Sequence, residues 1–401
     1  MTEKISVSEA LDRIESHVAP LLPRMIRLDA QAYGQILART TTAAADTPRF
    51  DCSAMDGFAL ATSETSTATE QRPAQFELAA DIPAASRQDK LELGTAAPIS
   101  TGAPLPAGAT AVVAKEQCRV DRGKLLISEP VTPWRNVRRQ GEDMASGALV
   151  ASPGSFLSPA LIGALLAYGV AQVEARSLPK VHILPTGSEF ALPIPAASVP
   201  RIDCNGPMIG AICRSLGVDF HIQDPVPDDA DILYAALQSL QGTPRADLIL
   251  STGGVSVGPH DLVRAALEKA GARIVFHGIA MRPGKPILFA VLPDGRPFFG
   301  LPGNPVAALV GFRFFVLAAI RQLVGIDREL GRPIAAPQPP REGITQFLRA
   351  RIAGDGSIVL SDDQRSHVMR SLIDSDHWVC LDGTGPEATA TIFRQSPSLA
   401  E

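Results

Sequence analysis

The chain is short of cysteine, has no long apolar run and carries no excess of positive charge. Each shortage excludes something. Five cysteines, Cys52, Cys118, Cys204, Cys213 and Cys380, are scattered over 401 residues. They are odd in number and never spaced as C-x-x-C, so neither a disulfide framework nor a zinc site is indicated, and a reducing cytoplasm is the expected compartment. A net charge of −5 gives no field to attract nucleic acid or an acidic membrane surface, so neither is an expected partner. A local basic site for a small anion remains compatible with it. The longest apolar stretches, 161–173 and 306–320, are short for a membrane span, and the second contains Arg313; both are expected to be buried helices. Residues 1–18 carry acids and no apolar segment, unlike a signal peptide. No internal repeat is visible.

What is present is a globular composition, 45% apolar and 20% charged, on a length that suits two to four domains. Its organising stretch is 246–286. An apolar run, 247–250, enters Ser251, Thr252, Gly253, Gly254, Val255, Ser256, Val257 and Gly258. Helical spacing of Leu262, Ala265, Ala266 and Ala270 follows. Strand, glycine-rich turn and helix aim free backbone N–H groups at an anion, and glycine lets the ligand approach. Beyond the next strand, Arg282 and Lys285 stand among Pro283, Gly284 and Pro286 in a stiff, positive loop. An ordinary βα turn and a surface basic loop would need no such combination.

Elsewhere the chain reads as follows. Ser6 and Glu9 form a capping box before a first helix. Residues 48–140 form a β-rich module, with runs at 75–78, 111–115 and 124–128 separated by turn residues. Ser158 and Pro159 start a helix that Gly169 stops. From 180, strands VHILPTG, DFHIQDP, ADLILSTGG and ARIVFHGI alternate with helices near 205–216, 230–240 and 261–270. That alternation indicates a mostly parallel, doubly wound α/β sheet with its ligand at the carboxyl ends of the strands. A hairpin is expected over 286–299. Pro302, Asn304 and Pro305 precede the last helix, with Asn304 as N-cap, which is reason enough for the motif without a ligand. Residues 332–341 read as a proline-rich linker, 347–381 as a small β domain, and 387–401 as a tail with few anchors.

The ordered motifs FDCSAMDGFA, ISTGAPLP, RRQGEDMASG, PTGSEF, DCNGPM, PDDADIL, STGGVSVGPHD, RPGKP and GLPGNP resemble the MoeA-type molybdopterin molybdenumtransferases, which include the C-terminal domain of gephyrin. The likeness covers about residues 6–383. It implies a discontinuous, elongated N-terminal domain (1–47 and 141–178), an inserted β module (48–140), a molybdopterin-binding α/β domain (179–326) and a C-terminal β-barrel-like domain (327–401). It also implies a cytoplasmic homodimer that shares its site between subunits, and, as further partners, maturation proteins of molybdenum enzymes. The implied reaction inserts molybdate into adenylylated molybdopterin with magnesium-dependent release of AMP.

Phosphoanhydride cleavage needs a divalent cation on oxygen ligands. Asp56, Asp143, Glu189, Asp228 and Asp261 are the matching acids, with Asp56, Asp228 and Asp261 expected on the metal. A turn or helix-cap role would account for each acid singly. Ser251, Thr252, Gly253, Gly254, Ser256 and Gly258 are expected to cradle phosphates. Arg282, Lys285 and Thr101 are expected on an oxyanion, and Pro302, Asn304 and Pro305 beside them. Three positions depart from the family pattern: Ser188 and Thr110 replace acids, and Arg282 replaces lysine. Two other readings therefore stand beside the transferase: a molybdopterin-binding scaffold with little turnover, and a phosphoanhydride hydrolase acting on another nucleotide.

Overall fold

Apolar strands alternating with amphipathic helices close into a six-stranded sheet in the order Asp219–Ile222, Lys180–Pro185, Leu248–Thr252, Pro297–Leu301, Leu288–Val291, Arg273–His277. The first four strands run parallel; the last two pair antiparallel, the hairpin 288–301 supplying the reversal. The structure, a computed structural model, describes residues 4–79, 90–190, 202–240, 246–255, 261–384 and 389–400. Helices cover both faces of the sheet, because nearly every residue of its inner strands is apolar. On one face Val181, Ile183, Leu248 and Leu250 pack with α1 (Val7–His17), α3 (Asn205–Ser215) and α6 (Pro305–Gly311). On the other, Leu184 and Ile249 pack with α4 (Ala230–Ser239) and α5 (Leu262–Lys269).

Helix α1 starts as expected, the Ser6 hydroxyl accepting from the Glu9 N–H at 3.1 Å. The Glu9 carboxylate does not close a capping box; it binds Arg13 at 2.6 Å. Helix α2 (Pro159–Ala167) has Ser158 as its cap, yet it is not the buried helix expected over 161–173. It stops before Gly169, at φ +83°, buries only Leu165 fully, and the chain continues into the strand Gln172–Arg176. Helix α6 runs on through a wide turn, Phe312–Val316, into α7 (Leu317–Val324). The whole, Pro305–Val324, is long and apolar enough to cross a membrane, contrary to the shorter run read from sequence, but 89% of it is buried in the protein. Arg313 lies on it, ion-paired with Glu329 at 2.8 Å.

The module before residue 140 holds another six-stranded sheet, ordered Ala111–Ala114, Gly57–Leu60, Thr95–Ile99, Ala74–Leu78, Lys124–Ile127, Arg119–Asp121. In the N-terminal region Arg24–Arg27 and Ile36–Leu37 flank Gln172–Arg176. The C-terminal sheet contains Thr345–Ile352, His377–Asp382 and Thr389–Arg394. Two expectations are corrected there. Arg332–Pro333, at the head of the supposed linker, is a strand paired with Thr389–Arg394. The tail is anchored by that same strand, by buried Leu399 and by Arg321, which donates to the Ser398 carbonyl.

Candidate active site

Three strand ends meet beside the glycine-rich loop. The Thr252 carbonyl accepts from the Thr186 N–H at 2.8 Å, and the Leu301 carbonyl from the Gly253 N–H at 3.0 Å. Asn205, at the start of α3, donates its side-chain amide to the Gly303 carbonyl at 2.9 Å. Gly253 and Gly254 have φ of +92° and +66°. A Cβ on Gly253 would lie 2.4 Å from the Thr186 carbonyl oxygen, and one on Gly254 2.7 Å from the Thr186 hydroxyl. Only glycine satisfies both the conformation and the contact. Ser251 and Thr252 are buried, and the Ser251 hydroxyl has no hydrogen-bond partner among the described residues. Ser256 and Gly258 lie outside the described residues, as does the Glu189 side chain.

Asn304 and Pro305 occupy the first positions of α6, but the Asn304 side chain makes no capping bond. Its amide instead reaches the Ser366 hydroxyl at 3.4 Å. The cap that would have explained this motif structurally is therefore absent. Pro302, just before it, is buried.

The candidate acids have distinct occupations. Asp261 caps α5, accepting from the Arg264 N–H at 3.0 Å. Its other oxygen is 3.1 Å from His277 Nε2, both side chains being buried. Burial pushes His277 below the ordinary histidine range, while Asp261 pulls it upward. Asp261, expected on the metal, is thus turned to Arg264 and His277. Asp228 is exposed and exchanges two bonds with Ser188: its carboxylate accepts the Ser188 N–H at 3.1 Å, and its N–H reaches the Ser188 hydroxyl at 2.9 Å. The departure at Ser188 thus fixes Asp228 in place. Neighbouring Asp229, not Asp228, caps α4. The Asp56 carboxylate accepts from the Thr101 N–H at 2.8 Å and the Thr101 hydroxyl at 2.9 Å, and these bonds hold it below the usual carboxylate range. Thr101 therefore spends its hydroxyl on Asp56, where an oxyanion was expected. Asp143 is exposed, its N–H bound to the Thr47 carbonyl at 3.1 Å. Thr110 packs within the β module, accepting from the Thr62 N–H at 2.9 Å. Among the described residues no three acids, imidazoles or thiols gather as a metal site.

The two cations of the RPGKP loop part company. Arg282 lies in the short strand Met281–Arg282, which pairs with Thr345–Ile352. It lines a cavity of about 490 Å³ with Arg341, Gln346, Gln364, Arg365 and Asp363. Behind the cavity, buried Arg349 holds the lining segment 363–365, donating to Gln364 Oε1 at 3.2 Å, the Arg365 carbonyl at 3.2 Å and the Asp363 carbonyl at 3.0 Å. Lys285 lies beside Lys4, whose ammonium pKa it lowers by like-charge repulsion. Sequence reasoning missed Thr186, Asn205, Arg341 and Arg365. The first two stood inside quoted motifs; the others carry no local signal, because strand pairing across domains brings them to Arg282.

Comparison with known proteins bears on this arrangement. Residues 5–169 match the MoeA N-terminal region (domain I and II), and 182–322 match a probable molybdopterin binding domain. A molybdopterin molybdenumtransferase of Synechococcus elongatus is 32% identical over 386 residues, 94% of this chain and 95% of that protein. Molybdopterin molybdenumtransferase 2 of Mycobacterium tuberculosis is 36% identical over 356 residues, 85% of this chain and 87% of its own. The crystal structure of a molybdopterin biosynthesis MoeA protein from Pyrococcus horikosii superposes with a TM-score of 0.78 at 26% identity, covering 98% of this chain and 99% of that one.

Proposed function

Since the chain belongs to the molybdopterin molybdenumtransferase family and is a transferase of molybdenum cofactor biosynthesis, we propose that it inserts molybdate into adenylylated molybdopterin and releases AMP. The observation that carries this reading is the junction of Thr186, Thr252–Gly254 and Leu301–Gly303. There glycine backbone is held open toward a ligand at the carboxyl ends of parallel strands, where α/β sheets bind nucleotides. Backbone N–H groups at such a turn suit phosphate. Molybdate is a tetrahedral dianion, and Arg282 with Arg341 offers it forked N–H donors, while Arg365 beside them is bound to Asp363. Lys285 adds a point charge on the same loop. Asp228, exposed and oriented by Ser188, would hold the counter-ion of the leaving phosphate.

Magnesium fits this set only as an ion held by one or two carboxylates and the substrate's own phosphates, the usual arrangement for that ion. Asp228 and Asp56 are exposed and would hold it, whereas buried Asp261 is turned to Arg264 and His277. When bound, magnesium neutralises charge on the phosphate oxygens. Two features support a homodimer with a shared site. Asp56 and Thr101 sit in the β module, far along the chain from the glycine-rich loop, and apolar α2 leaves Leu166 47% exposed.

The test is direct. Purified protein is incubated with adenylylated molybdopterin, magnesium and molybdate, and AMP and molybdenum-loaded pterin are counted. One AMP per loaded pterin is expected. AMP release without molybdenum loading would make the protein a hydrolase; neither product would make it a scaffold.

A further inference from the structure

We propose that His182 and His221 form a binding site for a divalent transition-metal ion, at the edge of the central sheet and separate from the strand ends described above. The two residues are direct partners on adjacent parallel strands, so they project from the same face. Their ring centroids are 5.1 Å apart and the planes are inclined at 46°, which lets a single ion between them meet one nitrogen from each. His182 is only 8% exposed. Its Nε2 lies 3.1 Å from Gln223 Oε1. An imidazole N–H given to an amide oxygen fixes the tautomer and leaves Nδ1 with a lone pair, the arrangement in which histidine binds metals.

The surroundings favour the neutral, ligating form. Burial pushes His182 below the ordinary histidine range, against the upward pull of its bond to Gln223. Nearby Arg296 does not bring a bare charge, since Asp294 binds it at 2.7 Å. A cavity of about 440 Å³, walled by Ser239, Leu240 and Ala246, opens over the pair and has room for the ion's remaining water ligands. Asp219, two residues before His221, is turned to Lys180 at 3.8 Å and is not a ligand, so the two imidazoles are the protein's donors. Two imidazoles select zinc, copper or nickel over magnesium, which prefers oxygen. The site is thus chemically distinct from the magnesium reading of the catalytic loops. His182 lies three residues before the end of its strand, away from the glycine-rich turn.

The alternative is that the rings merely pack against each other and His182 is a core residue satisfied by Gln223. Calorimetric titration of the untagged full-length protein with Zn2+, in buffer containing excess Mg2+, separates the two. One saturable zinc per chain is expected, with the thermal midpoint rising on binding. His221→Ala removes an exposed side chain and leaves the fold intact; it is expected to weaken zinc binding about tenfold or more and to abolish the thermal shift. Asp56→Asn is expected to bind zinc as the wild type does. Absence of saturable binding in the wild type, or an unchanged affinity in His221→Ala, would overturn the proposal.

Discussion

The junction at the strand ends and the cavity under Arg282 bind their parts in opposite ways. At the junction, main chain meets main chain: Thr186, Thr252, Gly253 and Leu301 are joined by N–H to carbonyl bonds, and glycine makes room. Around the cavity, side chains meet main chain: one buried guanidinium, that of Arg349, holds two carbonyls and an amide of residues 363–365. The first design tolerates no added atom. The second tolerates surface change but depends on a single cation. A loop that must approach phosphates closely needs the former, and a loop that must present several long basic side chains needs the latter.

Removing the guanidinium should have the largest effect. Arg349→Ala leaves the Asp363 and Arg365 carbonyls without their donor and Gln364 Oε1 with only the residue 349 backbone N–H. Unsatisfied buried polar groups cost about 1–3 kcal/mol each, so a loss of about 3–5 kcal/mol in the unfolding of the C-terminal domain is expected, read from the denaturant midpoint. Arg349→Lys restores charge without the fork and should recover less than half. A variant as stable as the wild type would show that the cavity wall stands without Arg349, and the contrast drawn above would fail.

At the junction, one carbon is the test. Gly253→Ala introduces a contact of 2.4 Å at a φ of +92°. Backbone strain of this kind costs about 1–3 kcal/mol, and a displaced loop near a reacting centre costs about 10²-fold in rate. Gly303→Ala is the control, since its nearest new neighbour would be Gly253 Cα at an ordinary 3.7 Å. The first variant should unfold at lower temperature and lose transfer activity; the second should unfold like the wild type. Equal behaviour of the two would mean that the close approach to Thr186 does not constrain the loop.

The same contrast explains what could be read from the sequence. The junction was legible because glycine at positive φ and a strand–turn–helix pattern are local signals. So were the caps at Ser6, Ser158 and Asp261, all of which accept the expected N–H groups. The cavity was not legible, because Arg282, Arg341, Arg349 and Arg365 meet through pairing of Met281–Arg282 with Thr345–Ile352. The strand Thr389–Arg394 escaped notice for a similar reason. It alternates apolar and polar residues over a short run, and its stability comes from pairing with His377–Asp382. Asn304 shows the opposite error: its position is a helix N-cap, yet its side chain points elsewhere.

A smaller effect is expected at the cavity's mouth. Arg282→Ala should leave stability within a few tenths of a kcal/mol, since the side chain is exposed. If the guanidinium holds the oxyanion, half-maximal insertion should need about ten- to a hundredfold more molybdate, the equivalent of about 1.5–3 kcal/mol for a charged hydrogen bond. Arg282→Lys should keep most of the activity. An unchanged molybdate requirement in Arg282→Ala would remove that residue from the site and leave Lys285 as the cation of the loop.

The smallest effect concerns Asp56, where an exposed charge is held by both means at once, one main-chain N–H and one hydroxyl from Thr101. Thr101→Val deletes only the hydroxyl. The N–H is the larger influence on the carboxyl, so its pKa should rise part of the way and stay below the ordinary aspartate value. The sign follows from linkage. A carboxyl depressed in the folded state contributes stability that is fully present above its unfolded pKa and is lost as the pH falls through the depressed value. Thr101→Val should therefore keep only part of that contribution at neutral pH and lose the remainder at a higher pH on the acid side than the wild type does. The measurement is the titration of the Asp56 carboxyl carbon by NMR in both proteins. An identical midpoint would show that the Thr101 hydroxyl does not hold Asp56 in solution, which would free it for the oxyanion role that its motif first suggested.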